Sequence, residues 1–198
     1  MNNYPLFSYF SLFCRSIHLP TLLTLFRFFL IPFICVAIIT YSWDQALLLF
    51  LVAAITDVLD GALARLTNSA TMLGAYLDPL ADKCLVLFSF WSISMTPFTG
   101  FTIPSWFNIA LFVKELLLVI VAAYFSMLKN NIKIKPSALG KGANFLQSAC
   151  LIMLFFAGLY EININQFLNP ILFFIIMISL WALLHYFWTG YKELSCEQ

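Results

Sequence analysis

Six apolar runs, each near the roughly 20 residues needed to span the hydrocarbon core of a bilayer, constrain this chain more than any other feature. They cover about residues 22–40, 45–65, 74–95, 106–128, 141–159 and 167–188. Polar or turn-forming segments separate them. These are Tyr41-Ser42-Trp43-Asp44, Thr67-Asn68-Ser69, residues 96–105 with Pro97, Gly100 and Pro104, the long polar connection 129–140, and residues 161–166. Of 198 residues 63% are hydrophobic and 10% are charged, more apolar surface than a soluble domain of this size can bury. The expected fold is all-α: a polytopic membrane protein with six transmembrane helices, one domain over 1–198 and a helical core at about 22–188.

Charge placement orients the expected bundle. Arg15, Arg65, Lys129, Lys133, Lys135, Lys141 and Lys192 all fall on one side of a six-span arrangement. The loops of the other side carry Asp44 and Glu161 and no Lys or Arg. Basic residues concentrate on the cytoplasmic side, so both termini are expected there. The formal net charge of +1 gives no basic field for nucleic acid, and no nucleic-acid partner is expected. Cys14, Cys35, Cys84, Cys150 and Cys196 are too scattered for a disulfide framework or a zinc site and read as small apolar residues. Residues 1–20 lack the basic start and small-residue cleavage site of a signal peptide. Tyr4, Phe7, Phe10 and Phe13 recur every three residues there, which suits a short interfacial helix or a frayed tail.

Against this apolar background stand four acids: Asp57, Asp60, Asp78 and Asp82. An ionisable residue in a membrane segment costs roughly 2.5–3.5 kcal/mol on insertion scales and so tends to mark function. On a helix, Asp57, Asp60, Gly61 and Ala64 share one stripe, and Gly74, Asp78 and Asp82 share another. The small residues leave room for a ligand beside the backbone. The turn between the two runs is short, so the helices are expected to be antiparallel neighbours with their acidic stripes meeting. Carboxylates brought together repel one another, and a divalent metal, or two, relieves that repulsion. Hard oxygen donors suit Mg2+ or Mn2+ rather than zinc, and neither His18 nor His185 is close in sequence. Metals held by carboxylates commonly serve phosphate chemistry, and Arg65 adds a fixed cation that suits a phosphate. On the residues alone, an intramembrane polar network or the proton, metal or ion path of a transporter stays open.

The run Asp57-x-x-Asp60-Gly61-x-x-Ala64-Arg65-x(8)-Gly74-x-x-x-Asp78-x-x-x-Asp82 resembles the signature of the CDP-alcohol phosphotransferases. All eight fixed residues are present over 26 positions. The resemblance implies six membrane helices with a cytoplasm-facing site. It implies that Asp57, Asp60, Asp78 and Asp82 hold a divalent metal pair. It places Asp57, Gly61, Ala64, Arg65, Gly74 and Asp78 around the CDP group. Asp82 is then the general base that deprotonates the acceptor alcohol, and CMP leaves. Dimers are common in the family, which leaves a homodimer open.

Other segments bear on the acceptor. Pro20-Thr21-Leu22-Leu23-Thr24-Leu25-Phe26-Arg27 is similar to the start of bacterial phosphatidylglycerophosphate synthases and cardiolipin synthases, with Thr21 where Asn is usual. Arg27, one turn into the apolar run, either snorkels back to anchor at the interface, which is the expected role, or meets a phosphate. Gly140-Lys141 followed by Gln147 resembles the same enzymes, and there Lys135 and Lys141 would help to bind an acceptor phosphate. A basic cytoplasmic loop among anionic lipids is the plainer explanation of those lysines. Lys114-Glu115 stands where relatives carry Arg-Glu; Lys114 is either a third phosphate ligand or half of a buried ion pair. The implied reaction transfers a phosphatidyl group from CDP-diacylglycerol to glycerol 3-phosphate. Its alternatives are a cardiolipin synthase using phosphatidylglycerol and, from a different class, an ion or metal transporter. A bacterial inner membrane is the expected location, with a mitochondrial one open.

Overall fold

A computed structural model describes the backbone of residues 19–67, 72–96, 100–128 and 138–195, and the side chains of 24–57, 77, 79–96, 100–121, 140–190 and 192. Six α-helices and no strands occur among the described residues: α1 Leu19–Ile39, α2 Trp43–Thr67, α3 Met72–Met95, α4 Ser105–Leu128, α5 Ala138–Leu159 and α6 Asn165–Ser195. Each matches one apolar run of the sequence. The last helix continues past Trp188 to Ser195. The proposed interfacial segment before residue 19 and the basic connection with Lys129, Lys133 and Lys135 lie outside the described residues.

The helices form two compact units, Met1–Phe88 and Ser89–Gln198, with α3 shared between them. In the first unit α1 packs along α2. Thr24, Arg27, Leu30, Ile31, Ile34, Ala37 and Ile38 are buried at three- and four-residue spacing, which puts them on one face of α1. Leu25, Phe26, Phe29, Phe33 and Val36 are exposed on the other face. On α2 the buried positions are Trp43, Ala46, Phe50 and Ala53, again at helical spacing. Ala37, Ala46 and Ala53 leave little between the backbones, the small-residue packing by which membrane helices approach closely.

The α1–α2 turn is closed by a Schellman motif. Ser42 N donates to Ala37 O at 2.9 Å, Tyr41 N donates to Ile38 O at 3.1 Å, and Tyr41 takes the left-handed conformation with φ 57°. The α5–α6 turn repeats the device: Ile162 N donates to Ala157 O at 2.9 Å, Glu161 N donates to Gly158 O at 3.4 Å, and Glu161 has φ 53°. Glycine usually fills such positions, so both turns carry a small steric cost.

In the second unit α6 packs on α4 and on α5. Phe90 meets Phe107 edge-on at 5.0 Å, and Leu111, Leu151, Leu154, Phe155, Leu168 and Leu172 are buried. Gln147 of α5 donates through Nε2 to Ser179 Oγ of α6 at 3.0 Å, with both residues buried, which pins the register of the two helices. Two connections at one end are also tied together. Ile164 N donates to Gly100 O at 3.0 Å, and Thr102 N donates to Asn165 Oδ1 at 2.9 Å.

The distribution of residue types is inside-out relative to a soluble protein. Arg27, Asn108, Lys114, Glu115, Gln147 and Ser179 are buried, while Phe29, Phe145, Phe167, Trp181 and Trp188 are more than 60% exposed. Such a surface is stable against lipid and not against water. By length and composition, Gly140–Leu159 and Asn165–Gly190 are sufficient to cross a membrane, and Thr24–Ile39 is a shorter apolar run.

Candidate active site

The fixed residues of the acidic signature lie on two helices. α2 carries Asp57, Asp60, Gly61, Ala64 and Arg65; α3 carries Gly74, Asp78 and Asp82. Asp57 extends the buried stripe of Trp43, Ala46, Phe50 and Ala53 by one more turn, so its carboxylate emerges where α1 covers α2. The acids are deeper than the helix ends suggested by the sequence. Asp57 is ten residues before Thr67, where α2 stops, and Asp82 is ten residues after Met72, where α3 starts. At about 1.5 Å per residue, both lie about 15 Å from those ends, at matching depth. Pro79 lies two turns into α3, where it removes one backbone donor between Asp78 and Asp82.

Asp57 and Asp82 meet at Arg27. Its Nη1 donates to Asp82 Oδ1 at 2.7 Å, and its Nη2 lies 3.1 Å from Asp57 Oδ1. The guanidinium side chain is 0% exposed, whereas the two carboxylates are 42% and 40% exposed. One planar fork therefore collects an acid from each of two helices, and the acids keep a face toward solvent. Arg27 does not snorkel: it points into the protein, because two carboxylates compensate its charge better than a distant interface. Arg27 thereby gives Asp57 and Asp82 a shared cation from a third helix. Nothing in the local sequence signals this, since the partners stand 30 and 55 positions away.

Asp60, Gly61, Ala64 and Arg65 have their places on α2 and Gly74 and Asp78 on α3, and their side chains lie outside the described residues. Lys135 lies outside the described residues. Lys141 is exposed in the first turn of α5. Lys114 is 3% exposed and its Nζ is paired with the Glu115 carboxylate, itself 5% exposed. In this arrangement Lys114 is committed to a buried ion pair, and a phosphate would have to displace Glu115. Gln147, noted in sequence beside Gly140-Lys141, serves the α5–α6 contact.

The geometry offers oxygen-only donors at a half-open position, a fixed cation behind them, and a signature that continues along both helices. Comparison with known proteins agrees with that chemistry. The family model described as CDP-alcohol phosphatidyltransferase matches residues 17–188. Curated proteins of Shigella flexneri serotype 5b (strain 8401), Shigella boydii serotype 4 (strain Sb227) and Escherichia coli (strain K12) are each 34% identical to this chain over 177 residues, 85% of it and 92% of theirs. Each is named CDP-diacylglycerol–glycerol-3-phosphate 3-phosphatidyltransferase. No solved structure matches. With its model covering nearly all of the helical region and its eight signature residues in place, the chain belongs to the CDP-alcohol phosphatidyltransferase family.

Proposed function

We propose that this protein transfers the phosphatidyl group of CDP-diacylglycerol to glycerol 3-phosphate, giving phosphatidylglycerophosphate and CMP. The single observation that carries the chemistry is the meeting of Asp57 and Asp82, from two helices and at matching depth, on one guanidinium. The printed names of the relatives supply the two substrates.

Members of the family depend in general on a divalent metal. The donors present fit one: Asp57 and Asp82 offer hard oxygens and are each about 40% exposed. Asp57, Asp60, Asp78 and Asp82 would hold it, with Mg2+ or Mn2+ as the ion and two ions as the count. When bound, the metal neutralises phosphoryl charge and makes a neighbouring hydroxyl more acidic.

Asp57, Gly61, Ala64, Arg65, Gly74 and Asp78 seat the CDP group, the glycines and alanine keeping the stripe open. Asp82 takes the proton of the acceptor hydroxyl. The resulting oxygen forms a bond to the phosphorus that bears the diacylglycerol, the P–O bond to the CMP phosphate breaks, and CMP leaves with the electron pair. Lys135 and Lys141 attract the acceptor phosphate from the cytoplasmic surface. Lys114 joins them only by exchanging Glu115 for that phosphate.

The whole chain is read as one membrane domain of six transmembrane helices with both termini and the site cytoplasmic, in a bacterial inner membrane. The basic residues of one face and the hydrogen-bonded tie between the 100–104 and 162–165 connections, both assigned to the opposite face, support that topology. Lipid acyl chains reach the site sideways between helices, and a homodimer is compatible with the exposed apolar surface. The test is purified protein with CDP-diacylglycerol, Mn2+ and a panel of glycerol 3-phosphate, phosphatidylglycerol and inositol phosphate, with products read by mass. Phosphatidylglycerophosphate with glycerol 3-phosphate alone is the expected result. Cardiolipin from phosphatidylglycerol, or no CMP with any acceptor, would overturn it.

A further inference from the structure

Arg27 lies outside the acidic signature, on a helix to which the reaction assigns nothing. It is the largest fully buried side chain among the described residues, and it is held by two acids that the proposed reaction uses. We propose that Arg27 is a positioning residue for the transfer: from α1 its guanidinium forks onto Asp57 of α2 and Asp82 of α3 and holds the base at a fixed spacing from the metal-binding acid. The inference rests on the roles proposed above for those two acids.

The geometry gives the reason for an arginine. The two bonds leave from different nitrogens, Nη2 to Asp57 and Nη1 to Asp82, so the spacing of the nitrogens within one rigid plane sets the spacing of the carboxylates. A lysine ammonium carries the same charge as a point on a flexible stem and imposes no such spacing. The arginine is itself rigid, because it is 0% exposed within the α1 face formed by Thr24, Leu30 and Ile31. Its contact reaches across 55 residues of sequence, so it fixes α1 and α3 relative to each other at the level of the acids. A reacting group misplaced by about 1 Å costs on the order of 100-fold in rate, so a device that fixes spacing has a large effect on turnover.

Charge and geometry make opposite predictions for metal, and this separates positioning from simple structural support. The positive charge of Arg27 sits against the acids and opposes a second cation there. Removing that charge while keeping a polar side chain should therefore tighten metal binding while it loosens the geometry. The probe is Mn2+, titrated into the full-length, substrate-free protein in detergent and followed by the paramagnetic signal of the free ion. CMP release per folded molecule is measured in parallel. For Arg27→Gln the expected outcome is Mn2+ binding tightened roughly 3- to 10-fold with turnover lowered about 100-fold. For Arg27→Lys, which keeps the charge and guards against a Gln variant that does not fold, the expected outcome is unchanged Mn2+ binding with turnover lowered about 10-fold.

Weakened Mn2+ binding in a folded Arg27→Gln protein would mark Arg27 as mere support for the fold and overturn the inference. Full turnover in Arg27→Lys would overturn it too, because charge alone would then suffice. The Mn2+ titration needs no substrate. A wild-type protein that binds Mn2+ but releases no CMP therefore sinks the proposed reaction, and with it the role of Arg27 in that reaction, whereas intact wild-type turnover with the wrong variant pattern sinks only the inference.

Discussion

Replacing the two acids around Arg27 one at a time and then together should give a strongly non-additive loss of stability. Taking away one partner of a buried ion pair costs about 3–5 kcal/mol. That figure is too large for Asp57→Asn or Asp82→Asn singly. Each carboxylate is about 40% open to water, each Asn retains an oxygen that can accept from the guanidinium, and the other acid remains. Solvent screening brings each single loss to about 1 kcal/mol. The double variant faces Arg27, 0% exposed, with two neutral amides in place of two anions, and the full cost of about 3–5 kcal/mol applies. The coupling is the excess over additivity, about 1–3 kcal/mol. Reversible unfolding of the purified protein in mixed micelles, titrated with a denaturing detergent and followed by tryptophan fluorescence, measures all four corners of this cycle. A double variant that loses only the sum of the singles, about 2 kcal/mol, would refute the claim that the two acids share Arg27 as their common counter-ion.

Further outcomes follow from the same contacts. Glu115→Gln leaves the Lys114 ammonium buried without its anionic partner and should cost about 3 kcal/mol, while Lys114→Met combined with Glu115→Gln should recover most of it; equal melting temperatures for the single and double variants in detergent would contradict the buried pair. Glu161→Asn puts a residue that tolerates positive φ into the α5–α6 turn and should stabilise by about 0.5–1 kcal/mol in the same unfolding assay, unless the left-handed conformation at that position is not populated. Lys141→Ala should raise the KM for glycerol 3-phosphate several-fold with little change in kcat; an unchanged KM returns Lys141 to a purely topological role.

How much was legible in the sequence differs between fold and site, for physical reasons. Helix positions follow from the length of apolar runs, so the starts of α1 to α6 fall within three residues of the expected ones and the ends of α3, α4 and α5 coincide. α6 runs seven residues further because Thr189 to Ser195 continues as polar helix, which a hydropathy limit cannot see. The turns at Tyr41 and Glu161 were placed by their polarity, but their Schellman geometry was hidden, since neither carries the usual glycine. The acids were conspicuous because carboxylates are rare in apolar helices. Arg27 is equally conspicuous, but one turn into a span a snorkelling arginine and a buried one look alike in sequence. The contact that decides between them joins residues 55 apart. Lys114 shows the reverse case, because its partner is the next residue and the ion pair was already one of two readings.

The most direct test of the account is the reaction run side by side on the wild-type protein and Asp82→Asn, both shown to be folded and supplied with CDP-diacylglycerol, Mn2+ and glycerol 3-phosphate. The account predicts one CMP released per phosphatidylglycerophosphate formed by the wild type, and turnover by Asp82→Asn lowered at least about 100-fold. Comparable turnover by the two proteins, or CMP release that does not depend on glycerol 3-phosphate, would contradict it.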